Sequence, residues 1–179
     1  FLWHMDATHD RIPVFGSLLT SRKLSRLGGQ TEFANSYAAY EALPDVTRTR
    51  IAHLKAVHSV EVSMTRAGVE ASEENIRYWR TNPDRTHSLV WTHKSGRKSL
   101  VIGSHASHID EMDKDEGQAL LQELLDWTTQ PRFVYRHEWS IGDLLIWDNT
   151  GVLHRAEPYP IDSGREMHRT TLLGEEPFS

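Results

Sequence analysis

The sequence predicts a mainly β protein with helical insertions, its strands stacked as a β-sandwich or jelly roll. Three observations lead there. Seven or eight short runs are apolar or alternate apolar with polar residues, as short strands do. Two or three helical stretches fall between those runs, without the strand–helix alternation of a parallel sheet. The 179 residues show no internal repeat, and 38% are hydrophobic, which suffices for one core.

In chain order, Ile12–Leu19 is the first expected strand, with Pro13 near its start, where a missing N–H is tolerated. A polar turn, Arg22–Gly29, leads to a second short strand, Thr31–Ala34. Ser36–Leu43 reads as helix. Pro44-Asp45 opens another that runs to about Val57, because Pro and an acidic residue suit a first helical turn and Ile51, Leu54 and Val57 form an apolar stripe. Ala67–Asp84 is polar and charged, a surface excursion with a helical turn after Ser72 and the segment best placed to act as a lid. Its Tyr78 and Trp79 suit a lid lining or a packing anchor equally. Ser88–Thr92 and Ser99–Ile102, joined by Lys94–Arg97, form a hairpin. Asp113–Thr128 is the clearest helix, acidic at its start, with Leu120, Leu121, Leu124 and Leu125 on one face and Pro131 closing it. Phe133–Trp139 alternates like a half-buried strand, Gly142-Asp143 turns, and Leu144–Trp147 reads as a buried strand that delivers His154.

A net charge of −5 leaves no basic field for nucleic acid, and no apolar run reaches membrane-spanning length. With no cysteine, disulfides and thiolate metal sites are excluded, so a metal would be held by His and carboxylate. That composition suits the reducing cytoplasm. The chain opens Phe1-Leu2-Trp3, without an initiator Met and directly on its first chemically loaded motif. Residues 1–179 are therefore expected to be a single domain that lacks its N-terminal part.

In an extended segment side chains alternate, so His4 and Asp6 point the same way. Joined by one distant histidine, His154, they would occupy one face of an octahedral metal and leave the other positions open. Such ligands suit Fe(II) or a similar divalent ion, zinc included. By itself, His-x-Asp among eleven histidines is a weak signal; a surface His beside a turn Asp is the plainer reading. His154 reads equally as a strand-end histidine bonded to backbone. Arg165 and Arg169 follow His154 closely and add a candidate anion clamp, since guanidinium is always charged and matches a carboxylate with a planar fork. Their plainer reading is two surface arginines in weak ion pairs.

Four ordered motifs change the balance: Trp3-His4-x-Asp6; Gly28-Gly29-Gln30-Thr31-Glu32-Phe33; Trp147-Asp148-Asn149 ahead of a histidine; and Arg165-x-Met167-His168-Arg169-x-Thr171. Together they resemble the TauD/TfdA family of Fe(II)- and 2-oxoglutarate-dependent dioxygenases, over essentially the whole chain. Segments such as TEFANSYAAYEAL and VYRHEWSIGDLLIWDN look closer to the phenoxyalkanoate dioxygenase branch. The resemblance implies a catalytic domain with a double-stranded β-helix core. It implies His4, Asp6 and His154 as the iron ligands. Thr31 and Arg165 would hold the distal carboxylate of 2-oxoglutarate. Arg169 would stand near the active-site mouth, on an acidic group of the substrate or on the co-substrate. The implied partners are O2 and a small acidic substrate such as an aryloxyalkanoate, sulfonate or sulfate ester, hydroxylated or cleaved with release of succinate and CO2. The family often forms dimers or tetramers. Two departures stand out: Met5 where Thr is frequent, and Thr150-Gly151 where Arg often follows Asp148-Asn149. Both bear on the pocket's shape rather than on the iron site, and the retained Asp6 leaves no coordination position for halide.

Two readings from other classes stay open. One is a jelly-roll metallohydrolase or isomerase using Zn(II) or Mn(II) at the same three ligands; the other is a non-catalytic small-molecule-binding domain. His105 and His108 look like a further metal pair but read as strand end and loop, with His105 at most a substrate contact. His9, Asp10, His58, His87, His93 and His137 read as structural or exposed, and His168 as facing away from Arg169.

Overall fold

A computed structural model describes residues 2–178. Strands dominate, and every pairing is antiparallel. The chain runs β1 (Gly16–Lys23), β2 (Thr31–Asn35), α1 (Ser36–Glu41), α2 (Asp45–Ile51), β3 (Lys55–His58), α3 (Val60–Arg66), α4 (Glu73–Trp79), β4 (Arg85–Ser88), β5 (Val90–Thr92), β6 (Lys98–Leu100) and β7 (Ala106–Ile109). It continues with α5 (Lys114–Thr128), a 3₁₀ turn at Pro131–Phe133, β8 (Val134–His137), β9 (Leu144–Asp148), β10 (Val152–Ala156) and β11 (Glu166–Leu172). No helix among the described residues is long and apolar enough to cross a membrane.

Two three-stranded sheets bring the ends of the sequence together. In one, β1 lies between β11 and β9, setting Leu19 opposite both Arg169 and Leu145. In the other, β2 lies between β10 and β8, setting Phe33 opposite His154 and Thr31 opposite Ala156. A third sheet, β4-β3-β7, and the β5–β6 hairpin complete the strands. The core gathers Trp91, Leu89, Leu100, Ile102, Ile109 and Leu153 against one face of α5, where Leu120, Leu121 and Leu124 are buried. That helix begins as its sequence requires: the Asp113 carboxylate accepts from the free backbone N–H groups of Asp115 and Glu116. The hairpin also forms as expected, with Trp91 opposite Ser99.

Elsewhere the structure corrects the sequence reading. The first strand begins at Gly16 rather than Ile12 and runs on to Lys23, through residues expected to turn. The helix expected to reach Val57 ends at Ile51, and Lys55–His58 is instead the central strand of its sheet, with Ala56 and His58 buried and Lys55 exposed. The 3-residue spacing of Ile51, Leu54 and Val57 mimicked a helical stripe, but partners on both edges decide for strand. The expected Ser88–Thr92 strand divides at the buried Leu89, whose N–H bonds to Leu54 while its carbonyl accepts from Val101. In the polar excursion, the turn expected after Ser72 is a capped helix, and Trp79 is a buried anchor whereas Tyr78 lies in solvent. The surroundings of His105 and His108, read as strand end and loop, include a strand, β7. Leu144–Trp147 does form strand, but only Trp147 is buried; Leu144 and Ile146 face outward, 59% and 62% exposed.

Candidate metal centre

Sheet pairing puts the candidate ligands side by side. His4 forms a single antiparallel bridge with His154, each backbone N–H donating to the other's carbonyl at 3.1 and 2.9 Å. Residues opposed in this way project to the same face, and the two imidazole centroids lie 4.2 Å apart. Asp6 follows on the same face of the segment. Its Oδ1 is 3.7 Å from His4 Nε2 and its Oδ2 is 3.4 Å from His154 Nε2. One donor atom from each of the three residues falls within 4.8 Å of the others.

The protonation pattern suits a cation. The His4 Nδ1–H donates to the Leu2 carbonyl at 2.9 Å, leaving the lone pair on Nε2, toward Asp6. Burial and the neighbouring His154 push the His4 imidazole down to about 4, so the ring is neutral near pH 7. Burial opposes charge on Asp6, but the close approach of His154 and the positive charge of Arg169 outweigh it and hold the carboxyl well below the usual range. Both ring nitrogens of His154 are buried and lack a hydrogen-bond partner among the described residues. Buried polar atoms are seldom left so. Two imidazoles and one carboxylate fit the donor set of Fe(II) or a similar divalent ion.

The ligand backbone is braced. Asn149, fully buried, accepts from the Asp6 N–H and donates to the Asp6 and Val14 carbonyls. Asp6 Oδ2 also accepts from Ser17 Oγ at 3.2 Å and from Arg169 Nη2. The Arg169 guanidinium thus sits on the candidate metal carboxylate and on Ser17 Oγ, rather than free at the mouth.

His4, His154, Thr31, Arg165 and Arg169 line one cavity of about 360 Å³, with Leu19, Met64, Trp147 and Met167 supplying apolar walls. Thr31 Oγ1 accepts from Trp139 Nε1 at 3.0 Å, which leaves the hydroxyl proton free to donate to an anion. Arg165 donates from Nη2 to the Gly29 carbonyl, while its Nε is buried without a partner among the described residues. Gly29 permits that approach: its φ is +82°, and a Cβ there would stand 3.0 Å from Arg165 Nε.

The other histidines separate cleanly. His105 does not line this cavity; it lies behind the ligand segment, 5% exposed. His108 bonds Ser107, His9 stands beside Asp10 near solvent, and His168 turns outward to Glu166. Sequence reasoning missed Ser17, the bracing role of Asn149, and Met64, whose helix went unrecognised. Asn149 carried a signal in the Asp148-Asn149 motif; Ser17 carried none.

Fold and site define a class: a β-sheet protein in which two histidines and an aspartate converge beside an arginine-lined cavity. The family is more specific. Residues 1–171 match the family described as taurine catabolism dioxygenase TauD, TfdA family, and the chain belongs to it. It is 42% identical over 174 residues to an alpha-ketoglutarate-dependent 2,4-dichlorophenoxyacetate dioxygenase of Burkholderia sp. (strain RASC), covering 97% of this chain and 58% of that protein. To the (S)-phenoxypropionate/alpha-ketoglutarate-dioxygenase of Sphingobium herbicidovorans it is 34% identical, covering 97% and 62%. The chain therefore spans about three fifths of these relatives. A crystal structure of AAD-2 in complex with Mn(II) and N-oxalylglycine superposes with a TM-score of 0.90 at 40% identity, covering 99% of this chain and 70% of that one.

Proposed function

We propose that this protein is an Fe(II)- and 2-oxoglutarate-dependent dioxygenase that hydroxylates a small acidic organic molecule, with residues 1–179 contributing its catalytic domain on a double-stranded β-helix core. The observation that carries the reading is the convergence of His4, Asp6 and His154, with both histidines lining the cavity that also holds Thr31 and Arg165, whose Nε has no partner among the described residues. A hydrolase or a plain binding domain has no need of that second, anion-holding set.

His4, Asp6 and His154 would hold the iron. Iron loaded with 2-oxoglutarate and O2 supplies an oxidant able to remove hydrogen from an unactivated C–H bond, with succinate and CO2 released. Thr31 and Arg165 hold the distal carboxylate of 2-oxoglutarate, the guanidinium by charge and the hydroxyl by its one free proton. N-oxalylglycine, present with Mn(II) in the AAD-2 structure, is likewise a dicarboxylate with a carbonyl group, here an amide carbonyl, beside one carboxylate. Arg169, beside the ligands, orients the acidic group of the substrate or the co-substrate, and Met64, Leu19 and Met167 offer an apolar wall to its body. The two phenoxy-acid relatives make an aryloxyalkanoate the first substrate to try.

The test is anaerobic addition of Fe(II) and then 2-oxoglutarate. The weak visible charge-transfer band of the chelate is expected in the wild type and lost in His154→Ala. With air and an aryloxyalkanoate, succinate should form. A folded, metal-loaded wild type that shows no band overturns the proposal.

A further inference from the structure

The segment carrying two of the candidate ligands has two edges, and only one is occupied by a strand. His4 exchanges both backbone hydrogen bonds with His154 of β10. Along an extended chain, backbone groups alternate in direction, so the carbonyl of Trp3 and the N–H of Met5 point to the opposite edge. There the chain at 103–105 crosses. Ser104 N–H donates to the Trp3 carbonyl at 2.9 Å, and the Met5 N–H donates to Nε2 of His105 at 3.2 Å. An imidazole nitrogen stands where a strand carbonyl would be. Gly103 makes the crossing tight: its φ is +136°, and a Cβ there would lie 3.0 Å from the Trp3 carbonyl oxygen and 3.1 Å from both His4 Cα and His105 Nε2.

This contact determines a tautomer. To accept the Met5 N–H, His105 Nε2 must carry a lone pair, which places the ring proton on Nδ1. His105 Nδ1 lies 2.7 Å from His58 Nδ1, so His105 donates, His58 accepts, and His58 keeps its own proton on Nε2. The reverse order would set an Nε2–H against the Met5 N–H, two donors facing each other. Both rings are buried, 5% and 1% exposed, and neither lines the cavity of Thr31 and Arg165.

We propose that His105 and His58 are positioning residues, an ordered imidazole pair that braces the Trp3–Asp6 segment from behind and sets the aim of His4 and Asp6. The inference rests on the metal-binding reading of His4, Asp6 and His154. Hydrogen-bonded supports of metal ligands are commonly worth about 10- to 100-fold in metal affinity.

The experiment is Mn(II) titration of the protein, with free Mn(II) read by electron paramagnetic resonance. Wild type should bind one Mn(II), and binding should vanish in His4→Ala. His105→Phe should bind roughly 10- to 100-fold more weakly, and His105→Gln, whose amide oxygen can accept the Met5 N–H, should regain most of that loss. Wild-type affinity in His105→Phe, or equal weakening in Phe and Gln variants, overturns the proposal. Should the variants not fold, nitrogen NMR of the wild-type imidazoles decides: Nδ1–H on His105 and Nε2–H on His58 are required, and the opposite pair of tautomers overturns it. A wild type that binds no Mn(II), or binds it regardless of His4, defeats the metal reading instead.

Discussion

Two imidazole pairs flank the Trp3–Asp6 segment, and they differ in what their nitrogens face. The rings of His4 and His154 are 4.2 Å apart and those of His58 and His105 are 4.9 Å apart. The second pair is the more deeply buried. Its facing nitrogens, however, are spent on each other and on the Met5 N–H. In the first pair both Nε2 atoms face the Asp6 carboxylate, within 3.7 and 3.4 Å. Burial alone therefore does not distinguish a site from a support. Unspent lone pairs converging on a carboxylate do.

Removing a member of the first pair should have the largest effect. His154→Ala or Asp6→Ala is expected to reduce 2-oxoglutarate turnover to background while the far-ultraviolet circular dichroism stays native; retained activity in either would erase the distinction between the pairs. Next comes the brace on the other side of the segment. Asn149→Ala strands the Asp6 N–H and the Asp6 and Val14 carbonyls in a buried setting, at a cost of about 2–4 kcal/mol, measurable as a lowered urea midpoint. An unchanged midpoint would show the brace to be idle. Arg165→Ala should then raise the 2-oxoglutarate concentration at half-maximal rate by roughly 30-fold, about 2 kcal/mol, with little change in rate at saturation.

Last comes a pH dependence that belongs to the second pair. Burial pushes His58 down to about 3, and His105 is likewise held far below its ordinary value by burial and by His58. Both are therefore neutral in the fold, whereas in the unfolded chain each takes up a proton below about 6.5. Between those values the unfolded state binds more protons, so their contribution to stability is complete above pH 6.5 and is lost as the pH falls toward 3. At pH 5 the loss is roughly 2 kcal/mol for one such group. Unfolding midpoints between pH 5 and 7 should slope accordingly in the wild type and less steeply in His58→Gln. An equal slope would assign the acid sensitivity to other groups.

What could be read in the sequence was local. The α5 helix announced itself by an acidic start and a leucine face, the β5–β6 hairpin by a short polar turn, and the common direction of His4 and Asp6 by a two-residue spacing. The lack of cysteine left His and carboxylate as the candidate metal donors. The opposite edges of the fold were not legible. Lys55–His58 offered a helical spacing and became a central strand because β4 and β7 flank it. Leu144 and Ile146 promised burial, yet their face of β9 points outward.

The sequence by itself therefore determined the candidate donors, their chemistry and the segments that carry them. Tertiary structure alone decided that, of eleven histidines, His58 and His105 pair behind the ligand segment. It placed His154 against a residue 150 positions earlier, seated Arg169 on Asp6, and gave the Met5 N–H an imidazole for its acceptor. The physical reason is that side-chain direction is a property of one strand, whereas register and edge partners are properties of two, and no local preference encodes the second.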